Sequence, residues 1–73
     1  GNMWYLKDMY ITANYYGHTV TGKVTDSRVK LGGTVIHYVD FDQPQPVGFR
    51  GTMRNGVVVE HAWVQKVMDN IGE

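Results

Sequence analysis

The chain has 73 residues, seven basic and seven acidic, and no cysteine. That length allows one domain with a small core. It excludes a disulfide scaffold and a cysteine-based zinc centre, and the balanced charge withholds the basic excess that drives most nucleic-acid binding. No apolar run reaches the roughly 18 residues of a membrane-spanning helix, and no charged-then-apolar leader opens the chain, so a cytoplasmic location is expected. Gly1-Asn2 reads as a tag remnant ahead of Met3, and residues 3–73 as a single small β-barrel domain. A domain this small with no staple often gains stability by self-association. Five tyrosines suit half-buried strands and contact surfaces alike.

Residues 4–16 are rich in aromatic and β-branched types and read as a strand, with a bend at Lys7-Asp8. Asn14 to Gly17 then reads as a turn in which Gly17 is free to take positive φ. Residues 18–25 alternate, with Val20, Gly22 and Val24 on one side and Thr19, Thr21, Lys23 and Thr25 on the other. Gly22 falls on the apolar side, where it marks a bulge, a bend or a close approach by another strand. After Asp26-Ser27, Val29 and Leu31 continue the alternation until Gly32-Gly33. Residues 34–42 form the strongest strand, with Val35, His37, Val39 and Phe41 on one face and Ile36, Tyr38, Asp40 and Asp42 on the other. Gln43 to Pro46 ends it, because proline donates no ladder hydrogen bond.

Asn55-Gly56 lies between two strand-like runs and carries the sequence signature of a type I′ hairpin turn. A two-residue loop there places Val47, Phe49, Gly51 and Met53 with Val58, Glu60, Ala62 and Val64 on the core face. The opposite face then holds Arg50, Arg54, Val57, Val59, His61 and Trp63, with Arg50 and His61 as cross-strand neighbours. The alternative is that Val57 and Val59 are covered by a neighbouring strand or a terminal helix. Val64, Val67, Met68 and Ile71 follow helical spacing, with Gly72 as a C-cap, and Trp63 plugs this helix against the sheet.

These elements predict an all-β fold, a small five-stranded barrel with a C-terminal helix over about residues 62–71. Across residues 4–61 the strand pattern resembles that of SH3-like barrels in general. The resemblance is architectural and implies no particular function.

Chemistry-bearing residues are sparse. His18, His37 and His61 match no metal-ligand spacing, and His37 reads as a hydrogen-bonded core histidine. Asp40 and Asp42 read as a solvated strand end, and Ser27, the only serine, as a turn residue. No catalytic residue, metal or cofactor is expected. The leading expectation is a non-enzymatic interaction module, binding a protein partner or itself through Arg50, Arg54, His61 and Trp63. The alternative is a nucleic-acid-binding domain using Lys23, Arg28 and Lys30 with Arg50, Arg54 and stacked tyrosines. A further alternative is an oligomeric enzyme with a site at the subunit interface.

Overall fold

The computed structural model describes residues 3–68. The domain is all-β. Five antiparallel strands form one sheet: β1 (Tyr10–Tyr15), β2 (His18–Val29), β3 (Val35–Gln45), β4 (Arg54–Glu60) and β5 (Val64–Met68). Their order across the sheet is β4-β3-β2-β1-β5. The only helical segments among the described residues are two 3-10 turns, Phe49–Gly51 before β4 and His61–Trp63 between β4 and β5. No helix among the described residues is long and apolar enough to cross a membrane.

β2 is the strand on which the sheet bends. Its first half, His18 to Lys23, pairs with β1, and its second half, Lys23 to Val29, pairs with β3. Lys23 is the one position with both neighbours, and the β3 register shifts just beyond it, between Val24 and Asp26. A bulge of this kind bends a strand and increases its twist. Gly22 is required at the bend. A Cβ there would lie 2.5 Å from the Asp40 carbonyl oxygen and 2.7 Å from a Val39 methyl. The curl brings β1 and β4 together across the concave side although two strands separate them in the sheet. The expected barrel does not close, because β4 and β5 are edges and do not pair with each other.

The concave side is the core. Ile11 and Ala13 of β1, Val20 and Val24 of β2, Val39 and Phe41 of β3, and Val57 and Val59 of β4 are buried there, with Leu6 and Val47 from the flanking segments. The alternation read from the sequence for residues 18–25 and 34–42 holds, but its continuation at Val29 and Leu31 does not, because both are exposed beyond the bulge. The strand expected from residue 4 begins only at Tyr10. Before it, Leu6 to Met9 form a tight turn in which Asp8 takes φ 73° and the Met9 amide donates to the Leu6 carbonyl at 3.0 Å. That turn drops Leu6 into the core.

The type I′ turn in the structure is Tyr16-Gly17. Tyr15 pairs with His18, and the two turn residues have φ of 49° and 89°. The Asn14 side-chain oxygen accepts the Gly17 amide at 2.9 Å, which fixes the turn. Asn55-Gly56 is not a turn. Both residues lie inside β4, and Gly56 pairs with Asp40. The reversal comes earlier, because β3 runs on to Gln45, which pairs with Arg54. Pro44 is tolerated in this stretch because β4 does not pair with residues between Asp40 and Gln45. The turn itself occupies residues 46–53, where Arg50 (φ 55°) and Gly51 (φ 79°) are left-handed and the Gly48 amide donates to the Thr52 carbonyl at 2.8 Å. Gly56 serves a close approach instead, since a Cβ there would strike the Val39 carbonyl oxygen.

The shifted turn inverts the face assignment of β4. Val57 and Val59 are buried and Val58 is exposed. The expected C-terminal helix is absent over the described part of 62–71. Residues 64–68 form β5, paired with β1 from Tyr10↔Met68 to Ala13↔Val64, while Ile71 and Gly72 lie outside the described residues. The backbone of β1 needs a partner on its outer side, and an isolated helix of this length is marginal in water.

The two readings of Asn55-Gly56 differ in a measurable way. Gly56→Ala should destabilise the domain by roughly 1–3 kcal/mol through overpacking against β3. Asn55→Ala, at an exposed strand position, should stay within about 0.5 kcal/mol. A type I′ turn would make both substitutions costly, because alanine would sit at positive φ at either position, so the Asn55→Ala melt carries the discrimination. Thermal melts of both variants decide between them.

Candidate functional site

Two clusters stand out, one open and aromatic, the other buried and polar. The open one forms around the β1–β2 turn, which lines one cleft with the loop before β4 and a second with the β4–β5 connector. A cleft of about 420 Å³ is lined by Tyr15, Tyr16, His18, Val47, Phe49 and Arg54. A second, of about 310 Å³, is lined by Asn14, Tyr16, Gly17 and Trp63. Tyr16 separates the two. Its ring meets Tyr15 edge-on at 4.8 Å and Trp63 at 5.4 Å between centroids. Tyr16 is 76 % exposed and held at positive φ, a conformation that a bulky side chain adopts only when its surroundings impose it. Phe49, 82 % exposed, forms the far wall, with the Arg50 guanidinium 5.4 Å from its ring centroid.

The buried cluster runs across the core. Ser27 and His37 face each other on β2 and β3, both almost fully buried. The Leu6 amide donates to Ser27 Oγ at 3.0 Å, Ser27 Oγ lies 2.7 Å from His37 Nδ1, and His37 Nε2 lies 2.9 Å from His61 Nδ1 on the β4–β5 connector. For two neutral histidines one arrangement satisfies every group. Ser27 accepts from Leu6 and donates to His37 Nδ1, and His37 Nε2–H donates to His61 Nδ1. No buried side-chain polar atom among the described residues lacks a partner. Burial, and secondarily the charge His61 can carry, push the proton affinity of His37 down from 6.5 to about 4.

The residues expected to form a site are therefore distributed differently. Arg54 and Trp63 line the adjoining clefts, and Arg50 stacks on the wall of the larger one. Arg50 and His61 are not cross-strand neighbours, since Arg50 lies in the loop before β4 and His61 follows its far end. Seven strand residues separate these ends by about 20 Å. His61 faces His37 instead.

The basic residues of the nucleic-acid alternative do not gather at the clefts. Lys23 sits at the bend of β2. Arg28 is paired with Asp26 at 2.8 Å and lies 5.9 Å from the Tyr38 ring centroid, which occupies it on the outer face. That ion pair lowers the proton affinity of Asp26 and raises that of Arg28. Lys30 is at the β2–β3 turn, where its amide donates to the Thr34 carbonyl at 2.8 Å and its carbonyl accepts from the Gly33 amide at 2.9 Å. No group of three or more metal-ligating side chains forms among the described residues. Sequence reasoning overlooked Tyr15, Tyr16, His18 and Phe49 as lining residues, although the expected turn at Asn14 to Gly17 already placed both tyrosines at a loop tip.

Comparison with known proteins returns no matching family model, no matching curated protein and no matching solved structure.

The buried chain makes the fold acid-sensitive. The unfolded chain protonates His37 near 6.5 while the folded one resists until about 4, so unfolding takes up a proton between those values. The contribution is fully present above 6.5 and is lost progressively as pH falls toward about 4, to a total on the order of 3 kcal/mol. Urea midpoints should fall over that window. At neutral pH, Ser27→Ala should cost about 1–3 kcal/mol, since it leaves His37 Nδ1 and the Leu6 amide without their partner.

Proposed function

We propose that this protein is a non-enzymatic interaction module, an SH3-like β-sheet domain left open between β4 and β5, that binds an extended acidic peptide segment of a protein partner along the aromatic clefts. The observation that carries this reading is Tyr16, an exposed aromatic ring held at positive φ as the ridge between two clefts. Strain of this kind costs stability and persists where a side chain must be presented in one orientation. Tyrosine, tryptophan and phenylalanine offer wide, rigid contact area at little entropic cost, as binding surfaces require. Arg54 and His18 are the ionisable cleft residues besides tyrosine, and neither is acidic, so the complementary ligand carries a carboxylate beside apolar groups. The two unpaired sheet edges give self-association a route within the same reading.

A displayed library of short linear peptides tests this. Enriched sequences should combine an acidic residue with prolyl or aliphatic ones. Tyr16→Gly should abolish binding while changing stability by no more than about 1 kcal/mol, because the lost ring contact is offset by relief of the strained φ. Arg54→Ala should weaken binding about tenfold, equivalent to 1.4 kcal/mol. A library that yields no binder, together with retention on oligo-deoxythymidine that falls steeply with salt, would replace the peptide reading with the nucleic-acid one.

A further inference from the structure

We propose that the His37–His61 contact is an acid-sensitive latch, which ties the β4–β5 connector to the core at neutral pH and on proton uptake releases it, moving Trp63 away from Tyr16 and remodelling the aromatic clefts. The latch stands on geometry alone; its consequence for binding rests on the reading of those clefts as a peptide surface.

The connector is a single 3-10 turn, His61-Ala62-Trp63. His61 reaches inward to His37 Nε2, and two residues later Trp63 packs on the core and meets the Tyr16 ring. Neither residue of the connector next to Trp63 is buried. The histidine hydrogen bond is therefore a polar tie between this turn and the sheet, two residues from the aromatic contact.

The chain of hydrogen bonds has a direction, and protons reverse it. With both rings neutral, the hydrogen between them belongs to His37 Nε2 and His61 Nδ1 accepts. A proton taken up by His61 puts hydrogen on its Nδ1, which then has to donate to His37 Nε2. His37 in turn has to carry its hydrogen on Nδ1 and donate to Ser27 Oγ. Ser27 already accepts from Leu6, so its own hydroxyl hydrogen loses its acceptor inside the core. A second proton leaves N–H groups facing each other on two cations 2.9 Å apart, with no lone pair between them. Swinging His61 into water removes both problems at once.

Among the described residues, nothing packed against the pair offsets this charge. β2 presents Ser27, β4 presents Val59 across from His37, and the N-terminal turn presents the Leu6 amide, all uncharged. Asp26 and Arg28 flank Ser27 but pair with each other, and Glu60, next to His61, forms no ion pair with either ring. Among the described residues no carboxylate is within salt-bridge distance of the histidines. The buried ring's reluctance to ionise agrees with such a latch, because the folded core has no place for its charge.

The test uses the full chain with Trp4→Phe, so that Trp63 is the sole tryptophan. Its emission is followed from neutral pH to about 4, alongside the far-ultraviolet signal of the sheet and the imidazole nitrogen resonances of both histidines. A red shift of Trp63 emission while the sheet signal persists, sharing its midpoint with the His37–His61 titration, is the expected result. His61→Gln keeps an acceptor for His37 Nε2–H and cannot ionise, so the emission step should vanish. Unchanged emission, an emission change that coincides with loss of the sheet, different midpoints for the indole and the imidazoles, or a step that persists in His61→Gln each overturn the latch. Because the histidine readout needs no ligand, failure to find a peptide at neutral pH sinks the binding reading and leaves the latch standing. Peptide affinity should drop at least about tenfold across the step; equal affinity on both sides would overturn the coupling to the clefts.

Discussion

The bend in β2 at Gly22 to Thr25 is the constraint on which the rest of this domain depends. One long strand pairs with β1 along its first half and with β3 along its second, so the two halves of the sheet share a spine and face each other. Without the close approach at Gly22 and the extra residue before Asp26, the sheet would lie flatter and its apolar side would remain wet. With them, β1 and β4 meet across the interior. A chain of this length has few apolar residues to bury, and curling one sheet on itself lets every strand use the same core. The bulge has a second effect. It shifts the parity of β2, so that Val24 and Ser27, three residues apart, both point inward.

That parity shift explains why the core contains a hydrogen-bonded polar chain. Ser27 opposite His37 creates two buried polar groups that need partners, and the domain supplies them from both sides. The N-terminal turn brings the Leu6 amide, and the connector after β4 brings His61. Two segments that lie outside the hydrogen-bonded ladder of the central strands are thereby tied to it. Polar groups inside a low-dielectric core bind strongly when satisfied and destabilise strongly when one partner is lost. The chain thus fixes the connector in one place, and the connector carries Trp63. Core polarity and the shape of the outer clefts are mechanically the same feature seen from two sides.

How much of this was legible in the sequence follows from where each signal originates. Alternation in residues 18–25 and 34–42 reports directly on burial, and those faces hold. The Asn14 to Gly17 turn was readable because its chemistry is local. Asn55-Gly56 carried the same local signature, yet its glycine answers a demand from β3, the Val39 carbonyl, which no local pattern reveals. One misplaced turn then inverted the inward and outward faces of β4 and put Arg50 beside His61. The terminal segment failed similarly. Val64, Val67 and Met68 fit a helical stripe, but the open edge of β1 claims them as a strand. The His37–His61 contact depends on the β4 register and the Ser27–His37 contact on the bulge, so both were out of reach of periodicity.

The placement of the candidate binding surface follows from the same economy of structure. A small curled sheet has little room for a cavity, and its concave side is filled by its own core. The surface left for recognition lies around the β1–β2 turn, with the loop before β4 lining one cleft and the β4–β5 connector the other. Two of these three carry residues in the left-handed region, Tyr16 and Arg50, each next to an aromatic ring that lines a cleft. Glycine would relieve the strain at either position, and glycine is plentiful elsewhere in this chain. That a tyrosine and an arginine stand there instead argues that the side chains are wanted on that surface, above what the fold alone requires.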